Sequence, residues 1–244
     1  MTIPDTSAKE LRKQLRLKRQ QLSHRQQLQH AQQAFEHLKK FLANYTLLTA
    51  KTGQQSQALK IACFLTQDGE LRTHAVIEYL CRETEHRVFI PTLESRPGVP
   101  MAFVEYQEGC KMENNRFGMP EPKRAIDQHL SGEELDIVIM PLVGFDLLGN
   151  RLGMGGGYYD QTFAFKLPQQ ALKQTPGQVS KQEVEVEADL KDKLATKNEV
   201  VLIGWAHSCQ QVPRLPNEAW DVPLDGIITE LGFHSYRPQS IVLK

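Results

Sequence analysis

The feature that most restricts how this 244-residue chain can fold is a strand-length apolar run, Leu135-Asp-Ile-Val-Ile-Met140, which stops at Pro141 and leads into a cluster of glycines. A run that is apolar on both alternations suits a strand covered on both faces, as in a parallel sheet wrapped by helices. The same kind of segment recurs at Leu59–Leu65, Arg87–Ile90 (closed by Pro91), Val200–Ala206 and Asp225–Thr229, with Met101–Tyr106 a weaker strand. Helical periodicity lies between them, with Ala75, Val76, Tyr79 and Leu80 on one side of Arg72–Glu83. Strands alternating with helices predict an α/β fold with an open, mostly parallel sheet flanked by helices.

Ahead of the first strand, no glycine or proline interrupts Ser7 to Leu42. Leu28, Ala31, Phe35, Leu38 and Leu42 recur at helical spacing, which predicts a long N-terminal helix. Its first turns carry Lys9, Arg12, Lys13, Arg16, Lys18 and Arg19, with Leu11, Leu15 and Leu22 as an apolar stripe. Asn44–Gln57 reads as a polar connection. Lys166–Lys197 reads as a polar surface insertion, partly helical near Glu187–Leu194.

The chain is long enough for a single domain. Basic and acidic residues balance at 29 each, so the bulk charge gives no reason to expect a nucleic-acid or membrane surface. No apolar run reaches the ~18 residues of a membrane span, and the N-terminus is charged, which predicts a cytoplasmic protein. Cys63, Cys81, Cys110 and Cys209 are widely spaced, form no CxxC pair and read as reduced thiols.

The chemistry concentrates in Gly149-Asn-Arg-Leu-Gly-Met-Gly-Gly-Gly-Tyr-Tyr-Asp160, where five glycines occupy nine positions between a buried strand and a short helix starting near Gly157 or Tyr158. Such a loop lets backbone N–H groups approach an anion. It is not a Walker A loop, which ends in Gly-Lys-Ser/Thr, nor a GxGxxG loop, because Tyr158 stands three after Gly155. Arg151 brings a fixed charge suited to phosphate oxygens, or forms a surface ion pair. Asp160 stands where a carboxylate can hold Mg²⁺ beside phosphates, or simply faces a helix N-terminus.

Met140-Pro-Leu-Val-Gly-Phe-Asp146 followed by this loop closely resembles the 5-formyltetrahydrofolate cyclo-ligases, also called 5,10-methenyltetrahydrofolate synthetases. The resemblance extends to Phe64-Leu-Thr-Gln-Asp-Gly-Glu70, Arg116-Phe-Gly-Met-Pro-Glu-Pro122 and Pro216-Asn-Glu-Ala-Trp-Asp-Val-Pro-Leu-Asp225. It implies ATP- and Mg²⁺-dependent conversion of 5-formyltetrahydrofolate to 5,10-methenyltetrahydrofolate, with ADP and phosphate released. The partners would be these two small molecules, and the state a monomer or weak dimer.

By the same resemblance, Arg151, Leu152, Gly153, Met154, Gly155, Gly156, Gly157, Tyr158 and Tyr159 would surround the ATP phosphates, with Arg151 and Tyr158 closest to the transfer. Met154 to Tyr158 would also border the folate, together with Leu65, Glu70 and Phe117. Asp160 and Asp221 would bind Mg²⁺, with Asp225 a neighbouring alternative to Asp221. Lys9, Arg12, Lys13 and Arg16 are candidates for the nucleotide in an ambiguous register. His207 and Cys209 receive no role. A folate- or nucleotide-binding regulatory protein without turnover is the rival reading; a sugar-phosphate isomerase or an acyl-CoA-transfer relative is another, because fold alone does not fix function.

Overall fold

In the computed structural model, residues 7–51, 58–93, 101–115, 118–123, 125–168 and 199–236 are described. The predicted insertion beyond Pro168 and its helical stretch near Glu187–Leu194 lie outside them, as does Phe117. The N-terminal segment forms two helices rather than one, α1 (Ala8–Gln20) and α2 (His24–Lys51). Ser23 causes the break. Its backbone N–H donates to Gln26 Oε1 and its Oγ accepts from the Gln26 N–H, a reciprocal cap that starts a new helix. At its other end α2 runs through Asn44 to Lys51, where the sequence reading placed a connection.

The next elements are β1 (Lys60–Ala62), α3 (His74–Glu83), β2 (Arg87–Leu93), β3 (Met101–Tyr106), the small hairpin β4 (Met112–Asn114) and β5 (Pro120–Pro122), and β6 (Ile137–Met140). A second hairpin, β7 (Gly144–Phe145) and β8 (Arg151–Leu152), precedes α4 (Tyr158–Thr162), β9 (Val201–Trp205), β10 (Gly226–Thr229) and β11 (Gly232–Ser235). The main sheet has the order β11-β10-β9-β6-β1-β2-β3. Its five central strands are parallel, and β3 and β11 close the edges antiparallel. The predicted open, mostly parallel sheet flanked by helices is what forms.

Strand β2 runs past Pro91, where the sequence reading ended it. Cys63 donates to the Phe89 carbonyl, so residue 89 and, two further on, residue 91 both turn toward β1. The β1–β2 register ends at Ala62 opposite Phe89, so the missing N–H of Pro91 faces a place with no strand to receive it.

Alternation along β6 builds the core. Ile137 and Ile139 face a cluster containing Ala34, Leu38 and Leu42 of α2 with Val76 and Leu80 of α3. Val138 and Met140 face the opposite cluster, with Phe89, Phe103, Phe163 and Leu224. Leu28, read as part of the buried stripe, is instead an exposed apolar residue at the start of α2. A third, smaller cluster pins α1 to the β7–β8 hairpin through Leu15, Val143, Leu152 and Leu215. Among the described residues no helix is long and apolar enough to cross a membrane.

Candidate active site

A cleft of about 1090 Å³ opens where β6, the β7–β8 hairpin, the glycine loop and the loop after β1 converge. Its lining includes Leu65 and Glu70 on one side, Arg151 to Asp160 on another, and Trp220 and Asp221 at the rim. The ends of β1 and β6 deliver two of these walls, as expected for a parallel sheet, whose ligands gather beyond the strand C-termini.

The glycine loop is shaped by backbone angles that side chains resist. Gly155 has φ +103° and Gly157 φ +65°, and Gly157 caps α4 in the left-handed conformation. Over this loop lies α1. Arg12 Nε donates to the Gly153 carbonyl at 2.8 Å, and its guanidinium stands 3.7 Å from where a Gly155 Cβ would be. Of the four predicted N-terminal contacts, Arg12 alone lines the cleft; Lys9 and Lys13 are exposed away from it, and Arg16 donates to Asp68 Oδ2 at 2.7 Å.

Arg19 was not singled out in the sequence, and it is the buried one. It donates to the Asp68 backbone carbonyl (2.9 Å), the Leu142 carbonyl (3.1 Å) and Asp68 Oδ2 (2.9 Å), joining α1 to two loops of the site. Burial alone would raise the Asp68 carboxyl, but hydrogen bonds from Arg16, Arg19 and Gln20 outweigh it and hold the group below its ordinary value. Glu70, two residues on, is only 13% exposed, accepts from the Gln67 N–H and lies 3.8 Å from Arg19. Burial dominates there and pushes its carboxyl up. The two neighbours therefore differ: Asp68 is held charged as a structural anchor, and Glu70 is a desolvated acceptor facing the cleft.

Across the cleft, Arg151 Nη2 donates to Asp160 Oδ1 at 2.7 Å, and the guanidinium lies over the Tyr159 ring at 5.6 Å. The Arg151 side chain is 4% exposed, and its Nε has no hydrogen-bond partner. The ion pair that the sequence offered as a surface one is therefore buried on the Arg151 side. Asp160 Oδ1 also accepts from the Val222 N–H at 3.2 Å, which brings the chain after Asp221 to the same wall. Tyr159 is partly buried against the second core cluster, and desolvation pushes its hydroxyl up.

Asp221 accepts from the Glu218 N–H and lines the cleft. Asp225 accepts from the Leu202 N–H and from Lys166 Nζ, which makes it an anchor between β9 and the turn before β10, outside the cleft lining. Two all-oxygen carboxylates on one wall, Asp160 and Asp221, fit a hard divalent cation such as Mg²⁺. Trp220 is 65% exposed at the rim.

Residues 4–185 match the sequence profile of the 5-formyltetrahydrofolate cyclo-ligase family. The chain belongs to that family. It is 33% identical over 203 residues to the 5-formyltetrahydrofolate cyclo-ligase of Haemophilus influenzae, covering 78% of this chain and 92% of that one. The cyclo-ligase of Escherichia coli is 36% identical over 169 residues, 69% of this chain and 76% of that one. Among solved structures, the 5,10-methenyltetrahydrofolate synthetase of Aquifex aeolicus superposes with a TM-score of 0.65 at 23% identity, covering 95% of this chain and 93% of that one. That likeness establishes a common fold, and the sequence relatives establish an enzyme of the cyclo-ligase family.

Proposed function

We propose that this cyclo-ligase uses Mg²⁺-ATP to convert 5-formyltetrahydrofolate to 5,10-methenyltetrahydrofolate. The observation that carries the reading is the arrangement of one cleft, with a glycine loop, Arg12 and Arg151 on one wall and the buried acceptor Glu70 on another.

The formyl group on the folate is an amide, and its oxygen is a poor leaving group. Attack of that oxygen on the γ-phosphorus of ATP forms a C–O–P link and releases ADP; the N10 amine then adds to the activated carbon, and phosphate departs as the ring closes. The enzyme's task is placement and charge neutralisation. The glycine-loop N–H groups and the guanidinium groups of Arg12 and Arg151 suit phosphate oxygens. Glu70 accepts from pterin N–H donors, with Leu65 against the ring. Tyr158 opens α4 beside Gly156 and lines the cleft. Asp160 and Asp221 would hold Mg²⁺, which supplies charge neutralisation on the phosphates when bound.

Incubation of the protein with 5-formyltetrahydrofolate and Mg²⁺-ATP is expected to produce the near-ultraviolet absorbance of the methenyl product in step with ADP release. Binding of both ligands with no absorbance change would defeat the enzyme reading in favour of a regulatory binder. ADP release without the methenyl product would defeat the proposed ring closure.

A further inference from the structure

Behind the loop that carries Asp68 and Glu70, three elements each deliver one metal-ligating side chain to a single point: His30 from α2, His207 from the end of β9, and Glu230 from the end of β10. His30 Nδ1 lies 3.0 Å from His207 Nδ1 and 3.6 Å from Glu230 Oε1, and the three ligand atoms all fall within 4.8 Å of one another. This is the one group of three or more His, Cys, Asp or Glu side chains so gathered among the described residues.

We propose that His30, His207 and Glu230 form a binding site for a zinc-class divalent cation, distinct from the acidic pair Asp160 and Asp221. Bonds of ~2.0–2.2 Å from a tetrahedral Zn²⁺ set its ligand atoms about 3.3–3.5 Å apart, and the two closest separations here straddle that spacing. The donor set selects the metal. Two imidazole nitrogens and one carboxylate oxygen favour Zn²⁺ and its transition-metal neighbours, whereas Mg²⁺ prefers oxygen alone.

The surroundings also resemble a built site. His207 is completely buried, its Nδ1 turned toward His30 and the Gly69 backbone beside the ring, so the lone pair it presents to the cluster is shielded from bulk water. Its Nδ1 faces the Nδ1 of His30, and two such nitrogens can share one proton at most; a cation would serve both lone pairs. Glu230 is fixed by Ser208, whose N–H donates to Oε2 at 2.9 Å and whose hydroxyl contacts Oε1. Outer contacts of this kind orient a ligating carboxylate. His30 is 18% exposed, which gives the ion a path in from solvent.

The test uses the full chain, stripped with chelator and titrated with Co²⁺ in the presence of excess Mg²⁺, because Co²⁺ in a tetrahedral nitrogen-containing site absorbs strongly in the visible. One equivalent is expected to produce these bands, and Zn²⁺ to abolish them. His30→Ala, at a half-buried helical position where alanine preserves the helix, and the near-isosteric Glu230→Gln are each expected to weaken the ion by at least about tenfold. Asp160→Asn is expected to leave it unchanged. Absence of the bands, their persistence in both site variants, or their loss in Asp160→Asn would overturn the proposal. The readout is spectroscopic and independent of turnover, so it stands or falls separately from the proposed reaction.

Discussion

At the scale of single residues, the pairing of Arg151 with Asp160 ties function to stability. Because Arg151 is almost fully buried, Asp160→Ala leaves its charge without a partner. The expected loss is about 2–3 kcal/mol in a denaturant melt, less than the ~3–5 kcal/mol of a wholly dry pair because Asp160 remains 22% exposed. An unchanged midpoint would show that water reaches Arg151. Glu70 should behave in the opposite sense. Its carboxyl is raised by burial, so the native state holds the proton more tightly than the unfolded chain, and the associated stability, present at acid pH, is lost as pH rises from about 4.5 through the raised native value. Glu70→Gln is therefore expected to stabilise the ligand-free protein at neutral pH while weakening folate binding, a trade common at binding sites. A variant less stable than the parent at neutral pH would mean that attraction to Arg19 outweighs burial. The glycine loop drew attention to Arg151 and Asp160, whereas Glu70 was reached only through the family resemblance. Arg19 was passed over inside a run of basic residues, although it stands four after Leu15 and three before Leu22, on the apolar stripe itself. The resemblance put Asp221 first with Asp225 as its alternative, and the bonds of Asp225 to Lys166 and Leu202 are what set Asp225 apart as an anchor.

At the scale of elements, α1 is a short helix whose buried attachments are the Leu15 cluster and Arg19, with Arg12 and Arg16 bonded at its partly exposed side. Leu15→Ala is expected to cost about 3 kcal/mol, within the range for a fully buried leucine. Because Arg12 lies one turn away on the same helix, the KM for ATP should rise more than that for the folate. Equal changes in both would place α1 outside the nucleotide wall. The break before α2 was legible in principle: Ser23-His-Arg-Gln26 is a capping-box pattern, and the absence of glycine and proline obscured it. The parallel strands were readable, short as they are, because the runs that contain them are apolar on both faces. Hairpins such as β7–β8, two residues to a strand, are too short to display any period, and the edge strand β11 carries no continuous apolar run.

At the scale of the whole molecule, the cleft is assembled from segments far apart in the chain, so ligands that fill it should resist unfolding of the entire domain. Mg²⁺-ATP at a hundredfold excess over its Kd is expected to add about 2.7 kcal/mol of stability, or roughly 5–10 °C in melting temperature for a domain of this size. Asp160→Asn should reduce the Mg²⁺-dependent part of that shift and leave the shift from folate. A full Mg²⁺ effect in the variant would remove Asp160 from the cation site. The bond from Arg12 to the Gly153 carbonyl spans 141 positions of sequence. During synthesis at ~5–20 residues per second, α1 leaves the ribosome roughly 7–28 s before the loop it must cover exists. Asp68, the partner of Arg16 and Arg19, lies only 52 and 49 positions on and emerges early in that interval, but Leu15 has no native surface until Val143, Leu152 and Leu215 are made, which makes the apolar side of α1 the natural point of engagement for a chaperone.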